Sequence, residues 1–385
     1  MKHVVWRWSL CAWLLAFDHR AFADANRDPV LAATAELIAT SNLVANADGE
    51  LQVKIDLGRR QRQQHDFDQA VKTFVSILES DAPDQAKRTG LLELALTAQE
   101  AGRPARAVHV MGQYVERFPE DRAVPEVLLR EGLLYREMGA YSMALAKFYS
   151  VMTTVLNLKL DSSGYYQRLV LQAQTEIAET YYRQNNYPEA VDFFERLLKQ
   201  DSPELNKTEL HLKLIRSLAA AARHEEAVLQ TEAYLAARPD DPEVRYWRAV
   251  ALQELGCKAD SVREVLWLLE LQEPTPWKQR AGNQIADELY AAGDFADALT
   301  VYEALALVDS TPAWQVSVQY QIGLVRERLH QPAQAMAAYT AVTEQGAKLG
   351  NEAAPATKTV LDLAAWRKNY LAWQIQAKEA IQTPH

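Results

Sequence analysis

Chemistry in this chain would have to come from eight histidines, two cysteines and a surplus of carboxylates, and none of them is spaced for it. The histidines are scattered at His3, His19, His65, His109, His211, His224, His330 and His385. No two stand four apart, the spacing that puts two metal ligands on one helix face. Cys11 and Cys257 are too few for a four-ligand zinc site or a disulfide framework. Cys257, beside Gly256, is expected to be a small buried core residue. The sequence holds no GxxxxGK[ST] or GxGxxG phosphate loop, no GxSxG and no HExxH. His224-Glu225-Glu226 reads as the acidic opening of a helix, where carboxylates suit the dipole. His211 and Arg216 fall in another helix and face either a groove or solvent. No catalytic, cofactor-binding or metal-binding residue is expected, so the chain reads as a non-enzyme.

The elements around these residues are helices. Of 385 residues 49% are apolar and 24% charged, enough for a large packed core. Only 14 are glycine, about half the usual ~7%, which disfavours sheets built on tight turns. The net charge of −10 argues against a nucleic-acid footprint. At the start, Lys2, His3 and Arg7 precede an apolar run from Trp8 to Phe17, followed by Ala21-Phe22-Ala23. This pattern is expected to be a secretory leader over residues 1–23, cleaved after Ala23, without lipid on Cys11. No stretch is long and apolar enough to be a membrane span.

The remainder repeats. A small residue recurs at Ala70, Ala107, Ala144, Ala190, Ala227, Ser261, Ala298 and Ala335, mostly 37 residues apart. Four and seven residues after each lie further positions, mostly large and apolar, such as Phe74 and Ile77 or Phe194 and Leu197, on the same helical face. Twelve residues before it lies Gly58, Ala95, Gly132, Ala178, Ile215, Ala249, Ala286 or Gly323, seven of them Gly or Ala, which lets a preceding helix approach closely. Five residues before it lies His65, Gly102, Gly139, Asn185, Ala222, Gly256, Gly293 or His330, where the first helix ends. The one interval of 46 marks an insertion over 151–168, read as an elbow or a contact surface, with helical spacing running to about Leu160.

These offsets resemble the tetratricopeptide repeat, most closely over Ile177–Pro203 and Ile285–Pro312. The resemblance implies an all-α solenoid of about eight helix pairs with capping helices at both ends. The expected organisation is a leader over 1–23, an N-terminal cap over 24–50, repeats one to three over 51–160, repeats four to eight over 161–350, and a C-terminal cap over 351–385. Within the caps, residues 28–46 and 353–381 read as amphipathic helices, and the Trp366, Tyr370 and Trp373 stripe is expected to pack into the core rather than meet a partner.

In the family the first helix of each unit lines a concave groove. Carried over, its exposed positions are Tyr182, Arg183, Arg216, Tyr246, Asn283, Asp287, Tyr290, Tyr320 and Arg328, residue types suited to an extended peptide. The family's carboxylate clamp is not reproduced, so recognition of a C-terminal carboxylate is not expected. The function implied is a periplasmic or secreted scaffold binding a protein or peptide partner of the cell envelope. The alternatives are a helical-repeat accessory subunit of a cell-wall or polysaccharide-export enzyme complex, and an RNA-binding repeat protein, which the leader and the negative charge oppose.

Overall fold

The computed structural model describes residues 49–160, 164–308, 310–349 and 354–382. The expected leader and the expected helix over 28–46 lie outside the described residues. More than four-fifths of the described residues are helical, and no strand occurs among them.

Among the described residues, seventeen helices follow one another in eight pairs and a final single helix. They are α1 (Gly49–Gln63) and α2 (Phe67–Glu79), α3 (Asp84–Glu100) and α4 (Pro104–Arg117), then α5 (Val124–Glu137) and α6 (Tyr141–Asn157). Next come α7 (Gly164–Arg183) and α8 (Tyr187–Leu198), α9 (Lys207–Ala220) and α10 (His224–Ala237), and α11 (Pro242–Glu254) and α12 (Lys258–Glu270). The last are α13 (Pro276–Ala292) and α14 (Phe295–Ala306), α15 (Pro312–Arg328) and α16 (Pro332–Leu349), and α17 (Pro355–Gln382). The chain divides into two compact units at Thr180/Tyr181, inside α7. No helix among the described residues is long and apolar enough to cross a membrane.

Local chemistry starts these helices. Asp66, Asn206, Asp241, Thr275 and Thr311 cap α2, α9, α11, α13 and α15 by accepting main-chain N–H bonds. Proline occupies the first turn of α4, α11, α13 and α15, where its missing N–H costs nothing.

Helices this short are marginal alone, so packing holds them. The eight small anchors, from Ala70 to Ala335, are all at 0% exposure. The positions four and seven residues on are buried in every unit as well. Where the first helix carries glycine, the second carries an aromatic ring. A Cβ added at Gly58 would lie 2.6 Å from ring carbons of Phe74. One at Gly132 or Gly323 would press equally hard on ring carbons of Phe148 or Tyr339. At the fifth unit the sizes are reversed: the first helix carries Ile215 and the second Thr231, both at 0% exposure.

The join between the helices of a pair is the same in all eight. The residue five before each anchor is left-handed: His65, Gly102, Gly139, Asn185, Ala222, Gly256, Gly293 and His330 have φ between 58° and 88°. The next N–H then bonds the carbonyl five residues back, as in Asp66 to Gln61, Arg223 to Leu218 and Asp294 to Leu289, each at 2.9 Å. This is the 6→1 bond of a Schellman turn. A ninth such turn, with Lys159 at φ 54° and Leu160 N–H bonding Val155 O at 2.9 Å, ends α6. The insertion is thus absorbed by a 17-residue α6 and a 20-residue α7, and helix stops at Asn157 rather than near Leu160.

Two expectations are corrected. Cys257 is exposed rather than buried, because it begins α12 directly after the left-handed Gly256. The Trp366, Tyr370 and Trp373 stripe is not core: the rings keep 59%, 43% and 61% exposure, and α17 packs on α15 and α16 through Ala364 and Leu371 instead.

Candidate functional site

The expected binding positions lie on first helices of the C-terminal unit. Here α9 touches α11, α11 touches α13, and α15 touches α17 directly. Their facing side chains are therefore tied to one another as well as exposed.

At one end, Tyr182 at the end of α7 stands edge-on to Tyr187 and Phe194, with centroids 5.9 and 6.3 Å away, and its hydroxyl lies near enough to Arg216 to interact with its charge. Arg183 beside it is exposed. Arg216 on α9 grips Glu243 of α11 through two bonds of 2.6 and 2.7 Å, and Trp247 Nε1 donates to the same carboxylate at 3.1 Å. Arg216, Glu243 and Trp247 thus form one polar run across two first helices, with Tyr182 of α7 beside it.

Tyr246 corrects the expectation of an exposed groove position. It is 1% exposed, because its ring fills the seam between two first helices. Its hydroxyl donates to Gln284 of α13 at 2.8 Å, and its ring centroid lies 4.9 Å from Trp247 and 5.0 Å from Trp277. The Arg280 guanidinium lies over this cluster, 5.0 Å from Tyr246, 5.4 Å from Trp277 and 5.9 Å from Trp247.

Further along, Asn283 is half-buried. Asp287 keeps an exposed edge but accepts a hydrogen bond from the Tyr302 hydroxyl, and crowding by protein raises its carboxyl above the usual range. Tyr290 stands edge-on to Phe295, and its hydroxyl accepts from Nε of the exposed Arg328 at 3.3 Å. Tyr320 is half-buried against Tyr339 and lies near Arg367 of α17, which pairs with Glu327 at 3.0 Å.

The structure therefore brings Tyr182 to Arg216 and Tyr290 to Arg328, and leaves the nine residues as a row rather than one cluster. Glu243, Trp277, Arg280 and Arg367 belong to the row and escape the sequence reading. Arg280 and Glu243 hold the same offset in successive units, eighteen residues before Ser261 and Ala298, so the spacing that selects Asn283 also selects Arg280. His211 settles on its own second helix, where Nε2 lies 2.9 Å from Gln230 Oε1 and burial lowers the imidazole pKa. Among the described residues no cluster of His, Cys, Asp and Glu could hold a metal ion.

Glu288 carries a pH dependence. Burial raises its carboxyl above 4.5 despite the bond from Gln284 Nε2 at 3.0 Å, and Glu254 and Asp287 raise it further. A raised acid favours the fold while neutral, so its contribution is complete below 4.5 and is lost as pH rises through the raised value. Glu288→Gln is expected to be more stable than the parent at neutral pH and indistinguishable from it in acid. Denaturant melts across pH check this, and a variant less stable at neutral pH refutes it.

Residues 172–202 match the family model of the tetratricopeptide repeat. The TPR repeat-containing protein YpiA of Bacillus subtilis (strain 168) is 23% identical over 230 residues, covering 56% of this chain and 50% of that protein. The chain thus spans about half the length of that curated relative. A tetratricopeptide repeat protein from Parabacteroides merdae is similar in structure, with 15% identity, a TM-score of 0.42, and coverage of 72% of this chain and 98% of that one. The C-terminal part of a TPR repeat-containing protein from Cytophaga hutchinsonii has 12% identity, a TM-score of 0.42, and coverage of 80% and 99%.

Proposed function

We propose that this chain, which belongs to the tetratricopeptide repeat family, is an exported scaffold that holds an extended segment of a partner protein along the first helices of its C-terminal unit. Repeat proteins of this kind are protein-interaction scaffolds, and the proposal adds the face, the form of the ligand and the compartment. The observation that carries it is the row of tyrosine and arginine tips from Tyr182 to Arg328, held in place by bonds such as Arg216 to Glu243 and Arg328 to Tyr290. Side chains fixed in advance lose little freedom on binding, and tyrosine and arginine supply large area with directed polar ends. Export rests on the charged start, the short apolar run and Ala21-Phe22-Ala23, and the envelope partner rests on export.

The test uses the full chain as bait in an envelope extract, with Tyr182→Ala, Tyr290→Ala and Tyr320→Ala singly and together. Loss of a captured partner with an unchanged melting curve supports the face. Capture that persists in the folded triple variant refutes it. Fractionation with N-terminal sequencing tests export separately: a chain beginning at Met1 in the cytoplasm refutes the leader.

A further inference from the structure

We propose that the aromatic stripe of α17 is a dimer seam, where the last helix of one copy pairs antiparallel with that of a second copy of this chain. Leu363, Trp366, Tyr370 and Trp373 keep 44%, 59%, 43% and 61% of their surface in water. The opposite side of α17 is spent on the solenoid, with Ala364 at 0% and Leu371 at 6%. In sequence order α17 stands where a ninth first helix would stand, but no second helix among the described residues follows it.

The spacing names a helix as the cover. Positions 363, 366, 370, 373 and 377 alternate by three and four, the seam of two paired helices. The rings are also ordered in advance. Trp366 stacks on Tyr370 at 5.5 Å and 3°, and Tyr370 on Trp373 at 6.0 Å and 26°. Their faces are occupied by one another, so a partner meets their edges, and little rotamer freedom remains to be lost.

Self-complementarity names a second copy. Centred on Lys368, an antiparallel pair sets Leu363 of one copy against Trp373 of the other, Trp366 against Tyr370, and Thr359 against Ala377. Large side chains then face smaller ones or each other's edges. On the rims Asp362 meets Gln376, and the two Arg367 side chains face each other, each carrying Glu327 of its own copy at 3.0 Å as counter-charge. The four side chains leave roughly 400–450 Å² in water per copy, taking ~150–250 Å² for a whole aromatic. Two copies would bury about 800–900 Å² from these alone, close to the ~1,000 Å² of a specific interface. The exposed Thr359, Asp362, Asn369 and Gln376 beside them supply the rest. The product is a weak, concentration-dependent dimer.

Sedimentation equilibrium of the full chain from low to high micromolar concentration is the test, alongside flotation with phosphatidylcholine–phosphatidylglycerol vesicles. A monomer–dimer equilibrium is expected, with a blue shift of tryptophan emission as the dimer forms. Trp366→Ser with Trp373→Ser is expected to weaken association at least ~30-fold with an unchanged helical spectrum, the scale of losing buried tryptophan anchors. Tyr370→Lys, which sets a charge against the facing Trp366, should act likewise and covers the case in which the serine pair misfolds. A parent that stays monomeric at high concentration overturns the proposal. So does a dimer that persists in a folded variant, or a monomer that floats with vesicles through the same residues.

Discussion

Phe148→Ala is expected to cost about 3–5 kcal/mol, the range for emptying a fully buried aromatic site. Phe148 on α6 is 0% exposed, and its ring lies directly over Gly132 of α5. Nothing else can fill the space, since the first helix contributes no side chain there. The reverse change is informative too. Gly132→Ala drives a methyl into that ring and is expected to cost about 1–3 kcal/mol, outweighing the gain in helix propensity. Combining Gly132→Ala with Phe148→Leu should recover part of the loss, because each change relieves the other. Urea denaturation of the four proteins measures this. Strict additivity would mean that the two residues do not share one space. Gly323 and Tyr339 form the same pair at the other end of the chain and should behave alike.

Glu93→Ala is the second large effect. Glu93 on α3 is 0% exposed, and Arg59 and Arg62 of α1 hold its two oxygens at 2.5 and 2.6 Å. Removing the carboxylate leaves two guanidinium groups, 17% and 10% exposed, crowded together with only the longer contacts to Asp56 at 3.5 Å and Glu100 at 3.4 Å as counter-charge. The expected cost is about 3–5 kcal/mol. Replacing all three by methionine should cost far less and can stabilise, because no charge is then desolvated. The loss on Glu93→Ala should also resist salt, since buried charges are poorly screened. Denaturant titrations at low and high ionic strength decide. A loss of the size of a surface ion pair, below about 1 kcal/mol, would mean that the triad is not stabilising α1 against α3.

The two effects differ in how far they can be read from sequence. Phe148 and Gly132 belong to offsets that recur in every unit, so periodicity alone marks them as facing positions. The left-handed turn residues are legible for the same reason, even at Ala222, whose own preference opposes that backbone. Glu93 is different. Its partners lie 31 and 34 residues away on the preceding first helix, and their meeting depends on how far one unit slides along the next. The same sliding buries Tyr246 against Gln284 while leaving Arg328 exposed. Period gives the face of a helix but not the depth at which its neighbour covers it. For α17 it gives a stripe without its orientation, which is why Trp366 and Trp373 face water. Cys257 follows a turn whose identity was clear, but a residue opening a second helix lies outside the buried offsets.

The Schellman turns have an evolutionary consequence. Each is held by main-chain bonds and one tolerant backbone angle, so histidine, glycine, asparagine and alanine all serve in it. The joint makes almost no demand on the gene. Mutation can erase the written likeness between units while the geometry persists, and an unequal crossover that adds or removes one whole unit meets the same joint on either side. The number of repeats, rather than the chemistry of any one of them, is then the quantity that lineages can vary most freely.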